Sequence, residues 1–273
     1  QVGDVYVDPA GSNNNSGSSP SSPFKNIYYA YLSIYANSGL PGTIHLADGT
    51  YSPSTNGEYF PLGGKDYVSI AGTSQAGTIL NGDSLTSIFY FDNIDDMALT
   101  NMTVTNGYDW HAGGGIKVYD STLNLDSVNV TYNNVGGGYP GGGIYVFSYN
   151  SSEINVQNSL ISHNSANSGG GISINEATDN IAIFSNTIFS NNTAVNGGGG
   201  LDAFRTTLTV ESCLYDSNIA QYGGGLYCGS DTVIIKNSLF INNSAPSGGG
   251  IKYYDSNSDP WKFVIMNSTV TNN

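Results

Sequence analysis

The residues able to do acid–base chemistry are few and dispersed. Arg205 is the sole arginine, and Asp202, Glu176 and Asp179 could approach it from adjacent turns of the chain. Asp92, Asp95 and Asp96 make a second acidic cluster. Glycoside hydrolysis needs two carboxyls flanking one bond, whereas three acids crowded into a turn are expected to stay solvated. His45, His111 and His163 are scattered and carry no metal-ligand spacing. Gly136-Gly137-Gly138-Tyr139-Pro140 lacks the lysine and following helix of a phosphate loop. No G-x-S-x-G nucleophile motif occurs either. The aromatic residues Tyr119, Tyr145, Phe147, Phe204, Tyr227 and Tyr254 differ, because they recur at equivalent places of a repeat. Rows of exposed rings would suit sugar rings or a protein partner, although stacking that merely stabilises a sheet, or loops that cover it, would give the same pattern.

The repeat that positions them is written in glycine. Runs of glycine precede Ile116, Ile144, Ile172, Leu201, Leu226 and Ile251, which lie 25 to 29 residues apart. Such a period marks a stacked architecture. Ahead of each run stands an apolar residue followed three places on by Asn: Val130–Asn133, Ile161–Asn164, Phe189–Asn192, Tyr215–Asn218, Phe240–Asn243 and Val270–Asn273. After the glycines come alternating stretches such as Ile144-Tyr145-Val146-Phe147, which have strand period. No helical pattern intervenes, so successive coils must stack strand on strand as a parallel β-helix, about 4.8 Å apart. The Asn would then bond its amide to the equivalent amide one coil away. The glycines would form corners where side chains clash.

With the aliphatic residue after each glycine run pointing inward, one outward column reads Lys117, Tyr145, Ser173, Asp202, Tyr227 and Lys252. The second reads Tyr119, Phe147, Asn175, Phe204, Gly229 and Tyr254.

Residues 1–65 read differently from the coils of 66–273, within one domain overall. Val5-Tyr6-Val7 predicts a strand, and the Asn/Ser/Gly tract from Ser12 to Ser22 a flexible loop. Ser22-Pro23 predicts a helix start. Phe24, Ile27, Tyr31, Ile34 and Tyr35 then recur at helical spacing. Such a helix would cover the open apolar end of the first coil. No cap follows Asn273, so the far end is expected to be open, belonging to a longer solenoid or completed by another subunit.

The two motifs resemble the GGA-[ILV] and FxxN repeats of the chlamydial polymorphic outer-membrane proteins, within the wider pectate-lyase-like superfamily. The likeness covers about residues 100–273, with a third Gly where that family usually has Ala. It implies an all-β, right-handed parallel β-helix, and the usual crossover preference implies the same hand. By the same resemblance, a polysaccharide lyase would need acids holding Ca²⁺ near a uronate, with Arg or Lys as base. Asp202, Arg205 and Glu176 are the candidates for that role, against Arg205 forming an ordinary surface ion pair. Ca²⁺ is expected only in that reading; otherwise no metal or cofactor is.

The chain carries 7 Lys+Arg against 21 Asp+Glu, a net charge of −14. This excludes a basic nucleic-acid footprint and argues against an anionic membrane surface. No apolar run could span a bilayer. Numbering opens at Gln1, which suits removal of a signal peptide. Sequons at Asn14, Asn101, Asn129, Asn150, Asn191, Asn242 and Asn267 permit glycosylation. Cys213 and Cys228 could pair or remain buried thiols. The resulting expectation is an extracellular or cell-surface structural or adhesive protein. It would contact glycan or a protein partner, or associate end to end, with an enzyme on an acidic polysaccharide as the alternative.

Overall fold

The structure is a computed structural model describing residues 3–150, 152–175, 180–229, 232–254 and 262–273. It is a parallel β-helix, and every strand pairing among the described residues is parallel. One coil shows the plan. Ile144–Phe147 lies in an eight-stranded sheet, Glu153–Gln157 and Leu160–Ser162 in a seventeen-stranded sheet, and Ser165–Ala166 in a four-stranded sheet. The glycine corner then returns the chain to Ile172–Asn175, in register with Ile144–Phe147.

Alternation puts Ile144, Val146, Ile154, Val156 and Ile161 into a continuous interior with their counterparts from other coils. Burying such chains contributes roughly 1.5–3 kcal/mol each. The apolar residues that precede the Asn by three stack ring on ring: Phe189 to Tyr215 at 4.5 Å and Tyr215 to Phe240 at 4.4 Å, nearly parallel. Beside them runs the amide ladder. Asn133, Asn164, Asn192, Asn218 and Asn243 each donate from Nδ2 to Oδ1 of the next Asn, ending on Asn273, at 2.8–3.0 Å.

The glycine corners are forced by contact. Gly141 has φ 74°, which L side chains rarely adopt. A Cβ on Gly142 would lie 2.4 Å from the Gly170 oxygen one coil away.

The N-terminal region differs in detail from expectation. The helix spans Ile27–Ser33 with Asn26 as its N-cap residue, not Ser22. Phe24 is extended instead, because its N–H donates to Tyr6 O and its carbonyl accepts from Asp8 N–H. The Asn/Ser/Gly tract is tied down: Tyr6 N–H donates to Gly17 O, and Asn13 Oδ1 accepts from the N–H groups of Lys25 and Asn26. Buried Glu58 closes the helix start, its carboxylate accepting from the N–H groups of Ile27, Tyr28 and Tyr59. Coil strands already begin at Gly42–Leu46, which pairs with Val68–Gly72. At the other end, Ile251–Tyr253, Lys262–Met266 and Thr269–Thr271 each pair with one strand among the described residues, and Ile265, Met266 and Val270 are exposed. No described helix is long and apolar enough to cross a membrane.

Candidate functional site on the eight-stranded sheet

The register aligns the residues of the two columns coil on coil. Lys117, Tyr145, Ser173, Asp202, Tyr227 and Lys252 are successive partners. Tyr119, Phe147 and Asn175 follow one another likewise, as do Phe204 and Gly229. Tyr254 continues from the last strand, its N–H donating to Cys228 O, and is exposed. Within each strand the alternate residues, such as Val118, Val146 and Ile174, fill the core and hold these side chains outward.

The aromatic residues gather into two platforms. In the first, ring centroids run Tyr90 to Tyr119 at 5.5 Å, Tyr119 to Phe147 at 5.7 Å, Tyr119 to Tyr145 at 6.1 Å and Phe147 to Tyr149 at 4.9 Å. Tyr149 is 79% exposed and Tyr90 38%, while Tyr119, Tyr145 and Phe147 are half-buried. In the second, Tyr227 touches Phe204 at 4.9 Å and Tyr222 at 5.9 Å, and Lys252 Nζ sits 4.0 Å over the Tyr222 ring. Between the platforms lies a polar floor, where Asn175 Nδ2 donates to Ser173 Oγ at 2.9 Å. Phe147 and Phe204 belong to strands two spacings apart, roughly 10 Å. Sequence reasoning missed Tyr90, Tyr149 and Tyr222. Tyr90 shares the alternation Phe89-Tyr90-Phe91 and the register of Lys117 but precedes the first glycine run. The other two stand outside the strands.

Electrostatics keep the tyrosines of the face protonated. Burial, then neighbouring tyrosines and acidic groups, raises the hydroxyls of Tyr90, Tyr119 and Tyr227, so they remain donors at neutral pH. Burial pushes Asp109 up as well. The Lys117 ammonium and the N–H groups of His111 and Ala112 outweigh it and hold the carboxyl below its usual range. Lys117 and Asp109 are thus a half-buried ion pair at the edge of the first platform.

The lyase constellation is not assembled among the described residues. Asp202 is buried rather than presented to solvent, whereas Arg205 is exposed just beyond the strand. No hydrogen bond or ion pair joins the two, and Arg205 makes no ion pair among the described residues. Glu176 and Asp179 lie outside the described residues. Burial lifts the Asp202 carboxyl to about 7, and its Oδ1 has no hydrogen-bond partner among the described residues. Ser173 is buried too, so the first column is interrupted where the sequence predicted exposure. Asp92, Asp95 and Asp96 are exposed, but Asp92 ends the strand Phe89–Asp92 instead of lying in a turn, and its Oδ2 accepts from the Tyr90 hydroxyl at 3.2 Å. No group of metal-ligating residues occurs among the described residues.

Cys213 and Cys228 do not form the candidate disulfide. Both are buried free thiols. Cys213 sits at the bend of the seventeen-stranded sheet with Sγ 3.3 Å from Glu211 O, while Cys228 lies on Leu226–Gly229 of the eight-stranded sheet facing Lys252 O. Burial raises both thiols, Cys213 to about 11, which keeps them protonated and inert. Of the sequon residues, Asn14, Asn101, Asn150, Asn191, Asn242 and Asn267 are exposed, and Asn129 is half-buried against Thr103. Asn191 and Asn242 directly precede ladder residues, so the repeat itself writes those two sequons.

Comparison with solved structures finds the pectin methylesterase PemA of Erwinia chrysanthemi at TM-score 0.53 and 13% identity, covering 93% of this chain and 82% of that one. A rhamnogalacturonan lyase is matched at TM-score 0.43 and 12% identity over 98% of this chain and 87% of that one. ORF18 of Geobacillus virus E2 is matched at TM-score 0.46 and 13% identity over 98% and 60%. At these identities the likeness concerns fold. No curated protein matches in sequence. The family model described as "Right handed beta helix region" matches residues 89–273, and the chain belongs to that family.

Proposed function

We propose that this chain is a non-catalytic, glycan-contacting β-helix, working outside the cell or at its surface, whose ligand lies along the outer face of the eight-stranded sheet. The observation that carries the reading is the unbroken ring-to-ring contact from Tyr90 through Tyr119 and Phe147 to Tyr149, with Asn175 on the neighbouring strand of the same face. Aromatic faces bury the CH faces of sugar rings, while protonated tyrosine hydroxyls and Asn175 supply hydrogen bonds to sugar hydroxyls. The polar floor between the platforms lets one extended chain touch both. Catalysis is disfavoured because the buried Asp202 has no described second carboxyl or base beside it, and hydrolysis needs two such groups.

The test is retention on insoluble cellulose, chitin and calcium-pectate gel. Wild type is retained on at least one of them without releasing reducing ends. The double variant Tyr119→Ala/Phe147→Ala loses retention by about tenfold or more, since burying each ring is worth about 1–2 kcal/mol. Equal retention of the variant would overturn the proposal, as would release of product by wild type.

A further inference from the structure

Asp202 stands in an outward column yet is only 4% exposed, so something covers it. The cover is the Asn196–Gly197 turn together with the Tyr227 ring. A Cβ built on Gly197 would lie 2.4 Å from Tyr227 Cδ1 and 3.3 Å from Asp202 Oδ1. The turn therefore closes over the carboxyl only because residue 197 has no side chain. It is held in place by backbone hydrogen bonds: Asn196 N–H donates to Asn167 O, Gly169 N–H donates to Gly197 O, and the N–H groups of Gln221 and Tyr222 donate to Asn196 O. Tyr227 is the centre of the second aromatic platform, touching Phe204 and Tyr222.

We propose that Asp202 is a proton-operated latch beneath this platform: the neutral acid lets the turn and Tyr227 close, and its ionisation lifts them and weakens the hold on glycan. This rests on the glycan-contacting reading of the face.

Among the described residues, the groups around the carboxyl leave its charge uncompensated. The following strand contributes Tyr227 and Cys228, both of which become harder to ionise beside a charged Asp202. The preceding strand contributes Ser173, whose Oγ accepts from Asn175. The covering turn contributes Asn196 and Gly197, neither of which ionises. Lys252, one strand further, donates to Ser247 Oγ and lies over Tyr222. Arg205, on Asp202's own strand end, points into solvent. A buried carboxylate with no cation and no donor on Oδ1 is strongly disfavoured. This agrees with the lift of the acid to about 7. The cheapest relief above that pH is to admit water by raising the cover, which is held by backbone hydrogen bonds and one exposed side-chain bond, from Asn196 Nδ2 to Asn167 Oδ1.

At pH 8.5 such an acid is neutral in about one molecule in thirty, so apparent affinity should fall about thirtyfold from its value at pH 6 if only the closed form binds. Two measurements decide the matter on wild type, Asp202→Asn and Gly197→Ala. The first is hydrogen–deuterium exchange of the Asn196–Leu201 amides at pH 6 and 8.5 without ligand, corrected for the intrinsic rate. The second is retention at both pH values on the cellulose, chitin and pectate panel. Wild type should lose protection and retention at pH 8.5. Asp202→Asn should keep both at either pH, and Gly197→Ala should lack both at either pH because its methyl pushes Tyr227 aside. Protection in wild type that does not change with pH overturns the latch, as does an Asp202→Asn profile identical to wild type. If wild type binds none of the three polysaccharides at pH 6, the glycan reading fails and the exchange data alone decide the latch.

Discussion

Replacing Asn192 by Ala tests the interior ladder at its centre. The Asn192 side chain is fully buried. Its Nδ2 donates to Ile161 O at 2.8 Å and to Asn218 Oδ1 at 2.9 Å, and its Oδ1 accepts from Asn164 N–H at 3.1 Å and Asn164 Nδ2 at 3.0 Å. Removing it leaves the Ile161 carbonyl, the Asn164 backbone N–H and one Asn164 amide hydrogen without this partner. Asn218 Oδ1 keeps the backbone N–H of residue 192. Three buried groups unsatisfied at roughly 1–3 kcal/mol each predict a loss of about 4 kcal/mol or more. Asn196→Ala is the control, since Asn196 is exposed and its side chain makes one exposed bond, to Asn167. It should change stability by about 0.5 kcal/mol or less. Urea unfolding followed by far-UV circular dichroism gives both values at a shared slope. A changed slope in Asn192→Ala would report the solenoid dividing at that coil, which nearest-neighbour stacking permits. If Asn192→Ala falls within about 1 kcal/mol of the control, the ladder does not hold the coils together and the energetic reasoning fails.

Two further outcomes follow from the buried acids. An ordinary aspartate titrates near 3.9, and Asp202 is raised to about 7 in the fold. Its contribution is therefore fully present below about pH 4 and is lost as pH rises to about 7, up to about 4 kcal/mol. Urea midpoints of wild type should fall from pH 4 to pH 8 relative to those of Asp202→Asn, and parallel profiles would contradict the burial argument. Glu58 accepts three backbone N–H groups at the helix start. Glu58→Ala should cost about 2–3 kcal/mol and speed hydrogen exchange across Ile27–Ser33 while leaving the Ile144–Phe147 strand protected. Uniform acceleration over both would show that the cap is not a local element.

The coil architecture was legible because glycine and asparagine are each demanded at one place by geometry. Their spacing gave the inward residues Ile116 to Ile251 and the register of the outward columns. The sequence could not show which outward residues would be covered. Ser173 and Asp202 are buried, and Asp202 owes this to the Asn196–Gly197 turn and Tyr227, which belong to other parts of the repeat. The helix start was misplaced because Phe24 is taken by a long-range bridge to Val7, which overrides the local Ser-Pro signal. Glu58 was not read as a cap because it lies far along the chain from the N–H groups it satisfies. Tyr90 lay within reach of the pattern, since Phe89-Tyr90-Phe91 alternates in register with Ile116-Lys117-Val118, but no glycine run marks its coil.

Hydroxyl-radical footprinting would place bound glycan on or off the eight-stranded face. Oxidation of each tyrosine and phenylalanine would be compared with and without a polysaccharide that retains the protein. Glycan on this face should protect Tyr90, Tyr119, Phe147, Tyr149 and Tyr227 and leave Tyr6 and Tyr132 unchanged. Protection confined to Tyr6, Tyr132 or the helix tyrosines Tyr28 and Tyr29, with the platforms still reactive, would contradict it.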